Sequence, residues 1–253
     1  MSQQKTALVL SGGAMFGAWQ AGVWRVLSLR LRPDVVIGAS IGALNAWAIA
    51  GGCGPNQLAA LWLDQAFADV TRLRLPWPPW DGIFDSDRLE RAVRRVHDAF
   101  RPRLEIGVPA IQVRGLRPRL FCNEEITARH LHASCAMAFG FRLVPIDGRL
   151  YTDGGLLAAL PLWAAPQMGA TRVIGIHCMP KLPSVAGRAV LRTLKQFVPS
   201  PPRPPATSKV EVLVPSRPMG SLRDLCFWKR ENIERWIQLG QRDAEAFLSG
   251  AQA

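Results

Sequence analysis

The chain has no C-x-x-C pair. Its five cysteines, Cys53, Cys122, Cys135, Cys178 and Cys226, are odd in number and widely spaced, which argues against a disulfide framework or a zinc site and for a reducing compartment. The amino terminus lacks an apolar signal core and a cleavage site: Met1-Ser-Gln-Gln-Lys5 leads straight into strand-like residues 6–10, so no signal peptide and a cytoplasmic location are expected. A membrane-spanning run is also missing. Residues 35–52 carry no charge, but Gly38, Ser40, Gly42 and Asn45 lower their hydrophobicity. Val35-Val-Ile37 before an Ala-rich stretch reads as strand, turn and buried helix. Acidic residues are scarce, 19 against 31 Lys and Arg, and the net charge of +12 favours anionic partners. The basic residues, among them Arg25, Arg72, Arg94, Arg117, Arg172 and Arg223, form no dense block. Nucleic acid is therefore not expected as a partner, and transient contact with an anionic membrane surface fits the charge as well.

With 253 residues and 49% hydrophobic composition, the chain suffices for one sizeable α/β domain spanning residues 1–253. Residues 7–10 read as a strand, 11–17 as a glycine-bearing turn, and the sequence to about residue 30 as a helix. Residues 35–37, the turn around Ser40 and residues 41–50 repeat that order, which predicts parallel strands joined by helical crossovers. Further helices are expected at 57–70, 87–100, 127–137 and 228–248, and further strands at 110–113, 120–122, 150–152, 172–177 and 210–214. Arg72-Leu-Arg-Leu-Pro-Trp-Pro-Pro-Trp80 is a Pro-rich aromatic loop with the character of a lid, and 179–207 is a Pro-rich surface segment.

Three features carry chemistry. Gly38-Ala-Ser-Ile-Gly42 is a G-x-S-x-G sequence between an apolar strand and a helix, the context of a nucleophile elbow; taken alone, a small-residue turn packing a helix on a sheet explains it equally well. Ser11-Gly-Gly-Ala-Met-Phe-Gly17 follows the first strand. At the carboxyl end of a neighbouring parallel strand its Gly12, Gly13 and Ala14 N–H groups would face an oxyanion formed at Ser40. The same glycines approximate a dinucleotide fingerprint, but Ala14 occupies the place of close approach to pyrophosphate, and Asp34 precedes its strand instead of ending it. Tyr151-Thr-Asp-Gly-Gly155 delivers Asp153 into a turn, where most Asp residues merely cap backbone N–H groups. A serine hydrolase usually pairs Ser with His. Of His97, His130, His132 and His177 only His177, ending a strand after Asp153, has a suitable place, whereas His97 reads as a surface residue. A partly desolvated Asp153 is the other candidate base.

Together the three features resemble the patatin-like phospholipase family. Leu10-Ser-Gly-Gly-Ala-Met-Phe-Gly-Ala-Trp-Gln-Ala-Gly-Val23 is similar to the family's opening and Gly38-Ala-Ser-Ile-Gly-Ala-Leu-Asn-Ala46 to its nucleophile block. Ala133-Ser-Cys-Ala136 and Asp147-Gly-Arg-Leu-Tyr-Thr-Asp-Gly-Gly155 look like its approach to the catalytic Asp. The resemblance implies a three-layer α/β domain with a mainly parallel central sheet flanked by helices. It also implies a Ser40–Asp153 dyad, an acyl-enzyme intermediate, a lipid or acyl-ester substrate, and no catalytic His, cofactor or metal. Gly12, Gly13 and Ala14 would form the oxyanion hole, with Gly17, Gly38, Gly42, Gly154 and Gly155 as motif positions. Four positions depart from the family pattern: Ala14 replaces a third glycine, Phe16 a basic residue, Ala138 a proline, and Ala159 an Asn before the proline at Pro161. Phe16 and Ala159 motivate the alternative of a catalytically silent fold that binds lipid or a protein.

Overall fold

The computed structural model describes residues 4–64, 70–73, 82–181, 183 and 209–250. Residues 77–80 of the Pro-Trp loop and nearly all of the 179–207 segment lie outside them. The charge-free run 35–52 is a strand, the turn at Ser40 and a helix, and no described helix is long and apolar enough to cross a membrane.

Eight strands form one sheet: β1 (Thr6–Leu10), β2 (Val35–Gly38), β3 (Glu105–Gln112), β4 (Arg117–Cys122), β5 (Val144–Ile146), β6 (Arg149–Thr152), β7 (Arg172–Ile176) and β8 (Lys209–Leu213). The order is β5-β6-β3-β2-β1-β7-β8, with β4 also paired to β3. Strands β3, β2, β1, β7 and β8 run parallel, while β4 and β6 lie antiparallel to β3 and β5 antiparallel to β6. The sheet is thus mainly parallel, as expected of strand–turn–helix repeats. One hairpin was not anticipated: Val144-Pro-Ile146 is too short and Pro-broken to read as a strand. Asp147 (φ 46°) and Gly148 (φ 73°) join it to β6 in the left-handed two-residue turn that Asp-Gly favours.

The parallel core is buried on both faces, and its residues alternate between two packing layers. Leu8, Leu10 and Val36 face helices α1 (Gly17–Leu27), α2 (Ile41–Ala50), α3 (Pro55–Leu63), α4 (Ser86–Ala99) and α5 (Ala128–Cys135). Ala7, Val9, Val35 and Ile37 face Trp163, Ala164, Ala165 and Met168 on and beside the short α6 (Ala164–Gln167). The chain closes with α7 (Leu222–Cys226) and α8 (Arg230–Leu248). The helix predicted at 57–70 begins at Pro55 and ends at Leu63, where Asp64 turns to extended backbone. His97 is not the surface residue its charged surroundings suggested, because its ring stacks on Trp47 with centroids 5.0 Å apart.

Helix α8 packs directly on α1. A Cβ on Gly22 would collide with the Ile237 carbonyl, and one on Gly240 with the Trp19 carbonyl, so the two backbones touch where each helix has a glycine. The buried Trp19 indole N–H donates to Asp243 at 2.7 Å, and Trp236 donates to the Met219 carbonyl at 2.9 Å. Gly240→Ala should therefore cost about 1–3 kcal/mol, the usual penalty for overfilling a packed core. Urea denaturation measures it, and an unchanged midpoint would contradict this helix contact.

Candidate active site

The site lies at the carboxyl ends of β1, β2 and β3, where parallel α/β sheets place their binding clefts. Gly38 ends β2, and Ser40 caps α2 in a positive-φ conformation (φ 54°, ψ −130°). Such a backbone costs a non-glycine residue about 1–3 kcal/mol and persists only where its surroundings enforce it. Those surroundings leave no room for side chains. A Cβ on Gly38 would strike the Gly42 carbonyl, and one on Gly42 the Ser11 and Leu10 carbonyls, which explains both glycines of the motif. Ser40 is thereby lifted out of the turn at the positive end of the α2 dipole.

Asp153 arrives from the other side. Strand β6 approaches from beyond the end of β3 and meets it only where Thr152 faces Ile111 and Tyr151 faces Gln112. Gly154 then passes so close to the Pro109 carbonyl that a Cβ there would collide with it. The Asp153 carboxylate is buried and accepts the Gly155 N–H at 2.7 Å. The Ser40 hydroxyl stands beside the carboxylate and favours its charged form. Burial dominates its protonation and pushes its pKa up to about 6, against the lowering effect of the Ser40 hydroxyl and the Gly155 N–H. None of the four histidines hydrogen-bonds to Ser40 or Asp153. His177 is half-buried, its Nδ1 is buried without a partner, and desolvation holds its pKa down at about 4.

The end of α5 fastens these two residues to each other. The Ser134 hydroxyl accepts the Ser40 N–H at 3.1 Å, and the Ser134 carbonyl accepts the Gly154 N–H at 3.1 Å. The Cys135 thiol donates to the Ser40 carbonyl, and the Ala136 carbonyl accepts both the Asp153 N–H and the Thr152 hydroxyl. The sequence carried no chemical signal for these roles. Ser-Cys-Ala is unremarkable in composition, and its function is to hold backbone that comes from distant parts of the chain.

The glycine turn closes the third side. A Cβ on Gly12 would sit 3.1 Å from the Ser40 Cβ, so only glycine admits Ser40 so closely. Its N–H, expected to face an oxyanion, donates instead to the Ala159 carbonyl at 2.8 Å and ties the turn to the loop after Asp153. The Gly13 and Ala14 N–H groups donate to no group among the described residues, and neither does that of Ile41, directly after Ser40. Gly17 opens α1 against Ile41 and Trp62, where a side chain would not fit. Behind the turn, the Gln20 amide donates to the Ser11 carbonyl. Asn45 donates to Gln20 and to the Gly17 carbonyl and receives the Trp62 indole N–H, a buried network locking α1, α2 and α3 together. The dinucleotide alternative loses its acidic residue: Asp34 accepts the Thr6 N–H at the amino end of β1, the end of the strands opposite the site.

The family model described as patatin-like phospholipase matches residues 8–166, which run from within β1 into α6. The chain belongs to the patatin-like phospholipase family. Among solved structures it is similar to VipD from Legionella pneumophila, with a TM-score of 0.55 and 13% identity over 98% of this chain and 67% of that one. The type III effector protein ExoU gives a TM-score of 0.44 and 14% identity over 98% of this chain and 53% of that one. The chain thus spans about two-thirds of VipD and about half of ExoU. No curated protein matches it at the level of sequence.

Against the family pattern, each departure has a place. Ala14 has φ 45°, the left-handed region that a glycine occupies freely and an alanine at a cost of about 1 kcal/mol. Phe16 is buried against Trp236, edge to face at 5.0 Å, so the position of a basic residue now anchors the loop to α8. Ala159 contributes its carbonyl to Gly12, and Ala138 sits in the turn that leaves α5.

A buried carboxylate with a raised pKa opposes folding wherever it is charged. The cost is present in full above pH 6, shrinks as pH falls toward the unfolded value of 3.8, and is gone below it. The shift corresponds to about 3 kcal/mol. Asp153→Asn, which keeps an acceptor for Gly155, should therefore raise stability at pH 7.5 by up to about that amount. Urea denaturation at pH 7.5 and at pH 4 checks this: the gain should shrink at the lower pH, and a variant less stable at pH 7.5 would contradict it.

Proposed function

We propose that the chain is a serine acyl hydrolase that cleaves fatty-acyl esters of phospholipids or other lipids through Ser40 and Asp153. The observation that carries this reading is the Ser40 hydroxyl placed beside a buried carboxylate that has no cation among its partners. Such a carboxylate is a better base than an exposed one, because its proton affinity is raised while it still ionises at neutral pH.

In this reading Asp153 takes the hydroxyl proton as Ser40 Oγ attacks the ester carbonyl. The tetrahedral oxyanion is met by free N–H groups of Gly13, Ala14 and Ile41 and by the amino-terminal dipole of α2. Collapse breaks the ester C–O bond. The leaving alcohol receives the proton from Asp153, and Ser40 is left acylated. Water then attacks the acyl-enzyme with Asp153 again as base, releasing the fatty acid and restoring the serine. His177 takes no part, being directed neither to Ser40 nor to Asp153. A net charge of +12 supports transient contact with anionic membranes that present such substrates.

Hydrolysis of a short-chain acyl ester by wild type and Ser40→Ala tests the assignment. Ser40→Ala should lose activity by at least about 10³-fold, since the residual rate rests on oxyanion stabilisation alone. Undiminished turnover by Ser40→Ala, or none by wild type on any acyl ester, would contradict it and favour an inert fold that binds lipid or protein.

The pH dependence supplies a second test. The base must be ionised, so kcat/KM should rise tenfold per unit at acid pH and level off above about pH 6. A plateau extending below pH 5 would exclude a carboxylate with so raised a pKa.

A further inference from the structure

A patch of apolar side chains stands in solvent beside the site. Ile83 is 46% exposed, Met137 45%, Phe139 89% and Leu73 59%. Three separate segments bring them together. The Ile83 and Phe84 N–H groups donate to the Phe139 and Gly140 carbonyls at 3.3 and 2.9 Å, Leu73 bridges to Phe84, and the Met137 methyl lies against Gly140. Alternation sorts the rest. Phe84 and Phe141 point inward and pack on one another with centroids 5.4 Å apart, while Ile83 and Phe139 point out.

Phe139 is unfavourable on two counts at once. It is nearly fully exposed, and its φ of 66° lies in the left-handed region where Gly or Asn is the ordinary occupant and a bulky aromatic is an outlier. Neither feature helps the chain fold, and strain of this kind in the absence of packing points to use. The turn that carries it, 137–141, starts at Met137, directly after Ala136, whose carbonyl holds the Asp153 N–H. Phe139 is three residues from that anchor and so within about 11 Å of it.

We propose that the turn at 137–141, with Ile83 and Leu73, is the edge by which this protein inserts into an anionic phospholipid surface at the mouth of the Ser40 site. This inference rests on the acyl hydrolase reading for the identity of the surface. A lipid occupant is favoured over a protein by size and charge. The exposed parts of four such side chains amount to roughly 500 Å², short of the roughly 800 Å² per partner that a stable protein interface buries. The chain carries +12, and Arg72 stands exposed next to Leu73. An inserted Phe139 would lose its contact with water while Arg72 remains at the level of the headgroups.

The test is co-sedimentation of Ser40→Ala protein, which leaves lipid intact, with phosphatidylcholine vesicles with and without phosphatidylglycerol. The parent should bind the anionic vesicles. Adding Phe139→Asn, which suits the turn's backbone, should weaken partitioning by about tenfold or more, the factor carried by one buried Phe. It should leave the melting temperature no lower. Leu29→Ser, at an exposed leucine following α1, should change nothing. Equal vesicle binding with and without Phe139, equal loss at Leu29, or self-association abolished by Phe139→Asn in place of vesicle binding would overturn the proposal. Soluble-ester hydrolysis by the Ser40 protein is scored separately, so a failure of the hydrolase reading is told apart from a failure of the docking surface.

Discussion

A buried, ionisable carboxylate sets the terms for everything around it. Asp153 is buried and its carboxylate accepts one amide N–H, so its charged form is held at a disadvantage that the rest of the fold must carry. Rigidity is the condition for this. A mobile Asp153 would swing out to water instead of staying on the Gly155 N–H of its own turn. The chain prevents that by fixing backbone instead of side chains. The end of α5 and Ala136 after it grip Ser40 through its N–H and carbonyl, and Asp153 and Gly154 through their N–H groups, so Ser40 and Asp153 share one frame.

The same logic extends outward. Two positive-φ residues, Ala14 and Ser40, lie on the turns that frame the site, and a third, Phe139, on the turn after α5; each stores conformational energy that packing elsewhere must offset. For Ala14 the anchor is Phe16 against Trp236, which ties the glycine turn to α8; that helix is itself locked to α1 by facing glycines and by Trp19 on Asp243. Replacing a basic residue by Phe16 thus exchanges a polar contribution at the loop for core support behind it. The site is shaped by residues far from it in sequence, and the carboxyl-terminal helix belongs to its scaffold.

What was legible in the sequence follows from how local each signal was. The β1 and β2 units were readable because strand, glycine turn and helix are contiguous and their hydrophobic runs are long, and Ser40 and Asp153 stood out as candidates because their glycine contexts are contiguous in the chain. The base was open between His177 and Asp153 on residue types alone, since reach across a sheet does not show in spacing; only the family resemblance decided it. Two things were hidden for the same reason. The role of Ser134 depends on meeting Ser40, 94 positions away, and the Gly12 N–H is spent on Ala159, a pairing no local pattern marks. The Val144–Ile146 strand was missed through a proline, although Asp147-Gly148 signalled a hairpin turn. His97 was misread because a charged helix conceals which of its faces meets Trp47.

The central claim is that Ser40 is an activated nucleophile and Asp153 the group that activates it. The most direct measurement is reaction with a fluorophosphonate probe followed by mass mapping of the modified peptide, in wild type and Asp153→Asn. The account predicts stoichiometric modification at Ser40 in wild type and its near-complete loss in Asp153→Asn. Labelling elsewhere, no labelling of folded wild type, or equal labelling rates in the two proteins would contradict it.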